Sequence, residues 1–158
     1  MFLGKIYQLK ERRFNVSDMD GAPDTEATID VKLIPPGERR EVAMSGFSTV
    51  YHANDSGEFF PESKADNRKP IESLFMKAVT GWSGFFEDED GNVPLQFGPS
   101  GKKKLLSIVP EIADFVAECH KKMVEEEAER KAASDENLSK GSSGSGTQTD
   151  RTAKPAKK

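Results

Sequence analysis

At 158 residues the chain has the length of one domain, and 35% hydrophobic against 32% charged residues supplies a modest core drawn from the part ahead of a Ser/Gly-rich tail. The net charge of −4 is shared unevenly, −6 on residues 1–133 and +2 on 134–158, which argues against the clustered basic face of a nucleic-acid-binding domain. A single cysteine, Cys119, excludes an intrachain disulfide. No apolar run approaches the roughly 18 residues of a membrane span, and Met1-Phe2-Leu3-Gly4 is too short for a secretion signal, so a reducing, cytoplasmic setting is expected.

Arg12-Arg13-Phe14-Asn15-Val16 and Ala27-Thr28-Ile29-Asp30-Val31-Lys32-Leu33 alternate polar with apolar, the pattern of half-buried strands. The turn formers from Ser17 to Asp24 between them predict an antiparallel pair joined by a loop. A lone hairpin is marginal in water, so the pair must pack on something else. Pro35-Pro36-Gly37 ends the second strand. Pro36 suits the first turn of a helix through Glu38 to Met44, while the alternation of Val42 and Met44 leaves a third strand open. Gly46 to Asp66, with Asn54-Asp55-Ser56-Gly57 and Pro61, reads as an irregular connection, with a short helix at Phe47 to His52 as one option.

Pro70, then Ile71, Leu74, Phe75, Ala78 and Val79 at helical steps, predict a short amphipathic helix stopped by Gly81. Leu105, Leu106, Ile108 and Val109 precede Pro110, which can open a longer helix carrying Ile112, Phe115, Val116, Cys119 and Met123 in one stripe. The Glu-rich run beyond Val124 has no apolar face, so this helix is expected to project and dissolve from Ser134. Gly141 to Gly146 has the composition of a flexible linker. The predicted fold class is α+β: a small N-terminal antiparallel hairpin or sheet, a helix–hairpin–helix C-terminal half, and a disordered tail. Residues 1–133 form one domain, with 1–60 β-rich and 61–133 helical, and 134–158 form the tail.

Between the two helical regions lies Gly81-Trp82-Ser83-Gly84-Phe85-Phe86, an acidic turn from Glu87 to Asn92, and Val93-Pro94-Leu95-Gln96-Phe97. Asp88, Asp90 and Asn92 resemble the start of a calcium loop. Counting from Asp88, however, position 6 is Val93 where glycine is needed and position 12 is Pro99 where a bidentate Glu belongs. A hairpin turn at Asp90-Gly91, with Phe85/Phe86 and Leu95/Phe97 on its arms, fits better. Trp82 would lock this hairpin against both helices.

Cys119 and His120 are adjacent, and neighbouring helical side chains diverge by about 100°, so they do not converge as a metal pair or a nucleophile with its base. Lys102-Lys103-Lys104 after Gly101 lacks the Gly-Lys-Ser/Thr ending of a phosphate loop, and reads as solvated lysines after a Ser100 cap. No catalytic residue, metal ligand or cofactor site is expected. The far end of the long stripe, around Phe115, Cys119, Met123 and Val124, is the expected partner face.

The order Gly81-Trp82-Ser83-Gly84-Phe85, Asp90-Gly91, Pro94-Leu95-Gln96-Phe97, Leu105-Leu106 and Val109-Pro110, roughly residues 70–120, resembles the tail assembly chaperones of long-tailed (siphovirus-like) bacteriophages and their prophages. In that family a helix runs into a Gly-Trp-x-Gly segment, then an Asp-Gly turn, then Pro-Leu-x-Phe, then a helix beginning with paired leucines. Gly81, Trp82, Gly84, Asp90, Gly91, Pro94 and Phe97 are the matching positions. The resemblance implies a non-enzymatic protein of the host bacterial cytoplasm that binds the tape measure protein and helps recruit tail tube subunits, with no cofactor, nucleic acid or membrane, and with a homo-oligomer on the client left open. It also implies ribosomal frameshifting near the gene's end, where Lys157-Lys158 suits an A-rich slippery run. A minor tail or neck protein of the virion and an acidic host-directed binding module are the alternatives.

Overall fold

The computed structural model describes residues 10–22, 24–88 and 90–140, with the side chains of 137–140 left aside. The fold is α+β, and the chain divides into two compact units, Met1–Val124 and Glu125–Lys158. The first unit is built on a three-stranded antiparallel sheet, β1 (Glu11–Asn15), β2 (Thr28–Lys32) and β5 (Val79–Ser83), in the order β1-β2-β5. Pairing of Phe14 with Ile29 and of Ile29 with Trp82 places all three on one face, with Val31 and Val79. Ile29, Val31 and Val79 are fully buried there, because strand side chains alternate between faces.

The opposite face is polar. Arg13 grips Asp30 with two nitrogens, Nε at 2.7 Å and Nη2 at 3.0 Å, and Thr28 shares a hydrogen bond with Ser83 at 2.8 Å. The Arg13 guanidinium holds the Asp30 carboxyl below its ordinary range, against the opposing effect of partial burial. Thr80 bulges out of register, since Asp30 pairs with Gly81 but Val31 with Val79, and its hydroxyl donates to Glu11. Val16 leaves β1 for a 3₁₀ turn, Val16–Asp18, and its N–H donates to Ala27 O at 2.9 Å.

Between β2 and β5 the chain makes helix α1 (Pro36–Met44), strands β3 (Phe47–Ala53) and β4 (Phe59–Ala65), and helix α2 (Arg68–Ala78). Pro36 sits at the first turn of α1, so the helical alternative for this stretch holds. The expected irregular connection from Gly46 to Asp66 is instead a seven-pair antiparallel hairpin, Phe47 opposite Ala65 through Ala53 opposite Phe59. Its turn is organised by Asn54, whose side-chain oxygen accepts from the N–H groups of Ser56 and Glu58. At its base Gly46 is buried against Asp66 and Pro70, where an added Cβ would stand 2.5 Å from the Asp66 carbonyl oxygen. Asp66 also turns its carboxylate to the N–H of Arg68, capping α2.

Helix α2 buries Phe75 and Ala78 and passes directly into β5. Helices α3 (Pro99–Ile108) and α4 (Glu111–Lys140) follow. Leu105 of α3 and Ile112, Ala113, Val116 and Cys119 of α4 join the core. The unit boundary falls after Val124, where the apolar stripe ends. Beyond it α4 continues as helix to Lys140 instead of dissolving at Ser134: the Ala, Glu, Lys and Arg of residues 125–133 are strong helix formers that need no apolar face, and the helix runs on through Ser134 to Lys140. Arg130 pairs with Glu127 one turn earlier at 3.0 Å. The Gly141–Gly146 linker and the rest of the expected tail, Lys157-Lys158 and the Met1–Gly4 run lie outside the described residues.

Candidate functional site

Trp82 stands on β5, in the sheet, not on the arm of a hairpin. Its indole Nε1 donates to Leu95 O at 2.9 Å, and its ring meets Phe85 and Phe97 edge-on at 5.9 and 4.9 Å between centroids. It therefore anchors the following loop to the sheet. Gly84, at φ +78°, lies where a Cβ would be 2.7 Å from the Cα of Ala27, so the left-handed turn and the close passage over Ala27, just ahead of β2, both require glycine.

The loop itself closes on a single bridge, Phe86 with Pro94, flanked by Glu87 N–H to Val93 O at 2.7 Å and Leu95 N–H to Phe85 O at 2.8 Å. The expected hairpin does not extend further toward the turn because Asp88 takes the Val93 N–H that would otherwise return to Glu87. The Asp88 carboxylate accepts from Asn92 N–H at 3.0 Å and Val93 N–H at 2.8 Å. Those backbone bonds, Val93 first, lower the Asp88 pKa. Asp90 is exposed and Gly91 takes φ +71° in the turn.

Lys102 corrects the picture of solvated lysines. Lys103 and Lys104 are exposed, but Lys102 is buried, its Nζ donating to Met76 O at 2.8 Å and Val79 O at 2.6 Å and lying 5.1 Å from the centre of the Phe97 ring. It satisfies carbonyls that the end of α2 leaves open. Burial, then Lys32, lowers its pKa. Ser100 makes no cap: Gly98 occupies that position, with no side-chain hydrogen bond.

The expected partner face is largely turned inward. Phe115, Cys119 and Met123 are 8%, 3% and 5% exposed and belong to the core, while Val124 is half-buried. Phe115 and Cys119 line a cleft of about 420 Å³ together with Phe14, Met19, Glu111 and Lys122. Burial pushes the Cys119 thiol up to about 11, so it is a poor nucleophile. His120 is buried as well; it accepts the N–H of Ile34 at Nε2, 3.2 Å, and burial, then Arg39, lowers its pKa.

What lies open is the β3–β4 arm. Paired residues of an antiparallel ribbon share a face, so Phe47, Thr49, Tyr51, Ala53, Phe59, Pro61, Ser63 and Ala65 form one side, without a single charge. Phe47, Tyr51 and Phe59 are 61%, 66% and 74% exposed on it. The reverse side carries Lys64 and a His52–Glu62 pair at 2.7 Å. The β-branched and aromatic residues from Phe47 to Tyr51, the Asn54–Gly57 turn and Phe59-Phe60 are a hairpin signal, masked in the sequence by Pro61.

Among the described residues no three His, Cys, Asp or Glu side chains come together as metal ligands, and no helix is long and apolar enough to cross a membrane. Compared with family models, curated proteins and solved structures, the chain gives no match.

Proposed function

We propose that this chain is a non-enzymatic tail assembly chaperone of a long-tailed phage or prophage, acting in the host cytoplasm by binding the tape measure protein and helping recruit tail tube subunits. The motif order around Trp82 supports the family reading. The single observation that supports a polypeptide-binding role is the uncharged face of the arm, on which Phe47, Tyr51 and Phe59 are all exposed. Apolar patches of this kind mark interaction sites, and aromatic anchors supply most of the energy of such contacts. This moves the client contact from the Phe115–Val124 stripe, mostly consumed in packing, to the arm.

The test is co-purification of the full chain with the tape measure and tail tube proteins of the same phage. Tyr51→Asp and Phe59→Asp, each checked for folding by circular dichroism, should lose the tape measure protein. Undiminished capture by both folded variants sinks the assignment. Quantitative mass spectrometry of purified particles separates it from a virion component: a chaperone is absent from finished particles, whereas a tail or neck protein is present in fixed stoichiometry.

A further inference from the structure

The two edges of the arm differ. Asn54 N–H donates to Glu58 O at 2.9 Å and Asp66 N–H to Gly46 O at 2.7 Å, and both pairs continue the register of the ribbon. Hydrogen-bonded and non-bonded pairs alternate in an antiparallel ladder. The pairs 48/64, 50/62 and 52/60 therefore exchange bonds, and 47/65, 49/63, 51/61 and 53/59 aim their backbone groups outward.

On β4 the outward set includes Pro61, which has no N–H to offer, and the strand carries Glu62 and Lys64. Proline and charge are the usual protection of an edge. On β3 the outward set is Phe47, Thr49, Tyr51 and Ala53, and the whole strand holds neither proline, lysine, arginine nor carboxylate. Among the described residues β3 pairs only with β4. One edge is closed and the other is ready to accept a strand.

We infer that the open edge of β3 pairs with β3 of a second copy, antiparallel about a two-fold axis at Val50, to make a four-stranded sheet β4-β3-β3-β4. This register is the one that engages all four outward residues of each copy, Phe47 with Ala53 and Thr49 with Tyr51 in both directions. Val50 then faces its own equivalent and Ser48 faces His52, so no like charges of opposed carboxylates or lysines meet. Pro61 lies on both outer edges of the product, so growth stops at two copies; such closure distinguishes a dimer from a fibre. The two uncharged faces merge into one continuous aromatic surface. The contact is mainly backbone hydrogen bonding over a short edge, at the small end of specific interfaces, so the dimer is concentration-dependent. The inference does not depend on the chaperone reading: a dimer that ignores tape measure protein leaves it standing, and a monomer that binds the client removes it alone.

Sedimentation velocity on the full chain from about 1 µM to about 200 µM should show a shift to twice 17.4 kDa. Thr49→Pro removes an outward N–H without touching a β3–β4 bond and should remain monomeric throughout, while Ser63→Pro, the same change on the already closed edge, should dimerise like wild type. Val50→Cys should form a disulfide-linked dimer under mild oxidation, because directly opposed non-bonded residues have Cα atoms about 4.5 Å apart; Ser48→Cys should not. A wild type that stays monomeric, a dimer indifferent to Thr49→Pro, or one broken equally by Ser63→Pro overturns the inference. Should Thr49→Pro fail to fold, the cross-linking pair decides, and a wild-type dimer without a Val50→Cys link refutes the pairing.

Discussion

Replacing Gly101 by alanine sets two physical effects of opposite sign against each other. Gly101 lies inside α3, where alanine would ordinarily stabilise by about 1 kcal/mol through its higher helix propensity. Here an added Cβ would stand 2.0 Å from the carbonyl oxygen of Gln96 and 3.2 Å from the Trp82 ring. Carbon and oxygen do not approach below about 3 Å, so the 95–97 backbone must retreat by roughly 1 Å. That movement strains the Trp82–Leu95 hydrogen bond and the edge-on Trp82–Phe97 contact, worth about 1 kcal/mol each, with a further ~1 kcal/mol for overpacking. The net expectation is a loss of about 2 kcal/mol, or roughly 8 °C in Tm for a unit of this size. Thermal melts followed by circular dichroism and by the emission of Trp82, the sole tryptophan, measure it directly. Gly37→Ala in α1, where a Cβ meets nothing within 4 Å, is the matched control and should gain up to about 1 kcal/mol. A Gly101→Ala protein as stable as Gly37→Ala, with unshifted emission, refutes the close passage of the loop over α3.

The buried titratable groups make separate predictions. The depressed pKa of His120 means that the unfolded chain binds more protons than the folded one below its ordinary value of 6.5. Stability is thus full above about pH 6.5 and declines as pH falls, a slope that urea midpoints should show and that His120→Gln should flatten. Cys119 has the opposite sense: with its thiol raised from 9.0 to about 11, stability is full below about pH 9 and is lost as pH rises through 11. Cys119→Ala should lack that alkaline slope, and a disulfide reagent should label the native thiol only after unfolding. Lys102→Met leaves the carbonyls of Met76 and Val79 without their donor and should cost about 2 kcal/mol; a stabilised variant would mean that burying the ammonium outweighs its two bonds.

The strands β1 and β2 were legible because period-two alternation reports one buried face, and Phe14, Ile29 and Val31 lie on it. α2 was legible from its apolar spacing. Two features escaped for different reasons. β5 is a five-residue strand fused to α2, so its first residue, Val79, also completes the helical stripe, and two glycines beside Trp82 suggest a turn. The arm escaped because Pro61 looks like a break, and only the register shows that its missing N–H falls on the outside. Lys102 was illegible on principle: local pattern assigns a lysine to water, and the carbonyls that hold it come from residues 23 and 26 positions away. The buried state of Phe115, Cys119 and Met123 likewise depends on what lies across from them, which a helical stripe does not reveal.

The sheet order β1-β2-β5 sets a timetable for synthesis. β2 is the central strand, yet Ile29 meets its neighbour Trp82 only across the whole of α1, the arm and α2. At elongation rates of about 5–20 residues per second, several seconds separate the emergence of β2 from that of β5. During this interval the nascent chain exposes Ile29 and Val31 beside an unpaired edge, so any truncation before Ser83 should yield a sticky fragment, and a ribosome-bound folding factor would find its target in that half-built sheet.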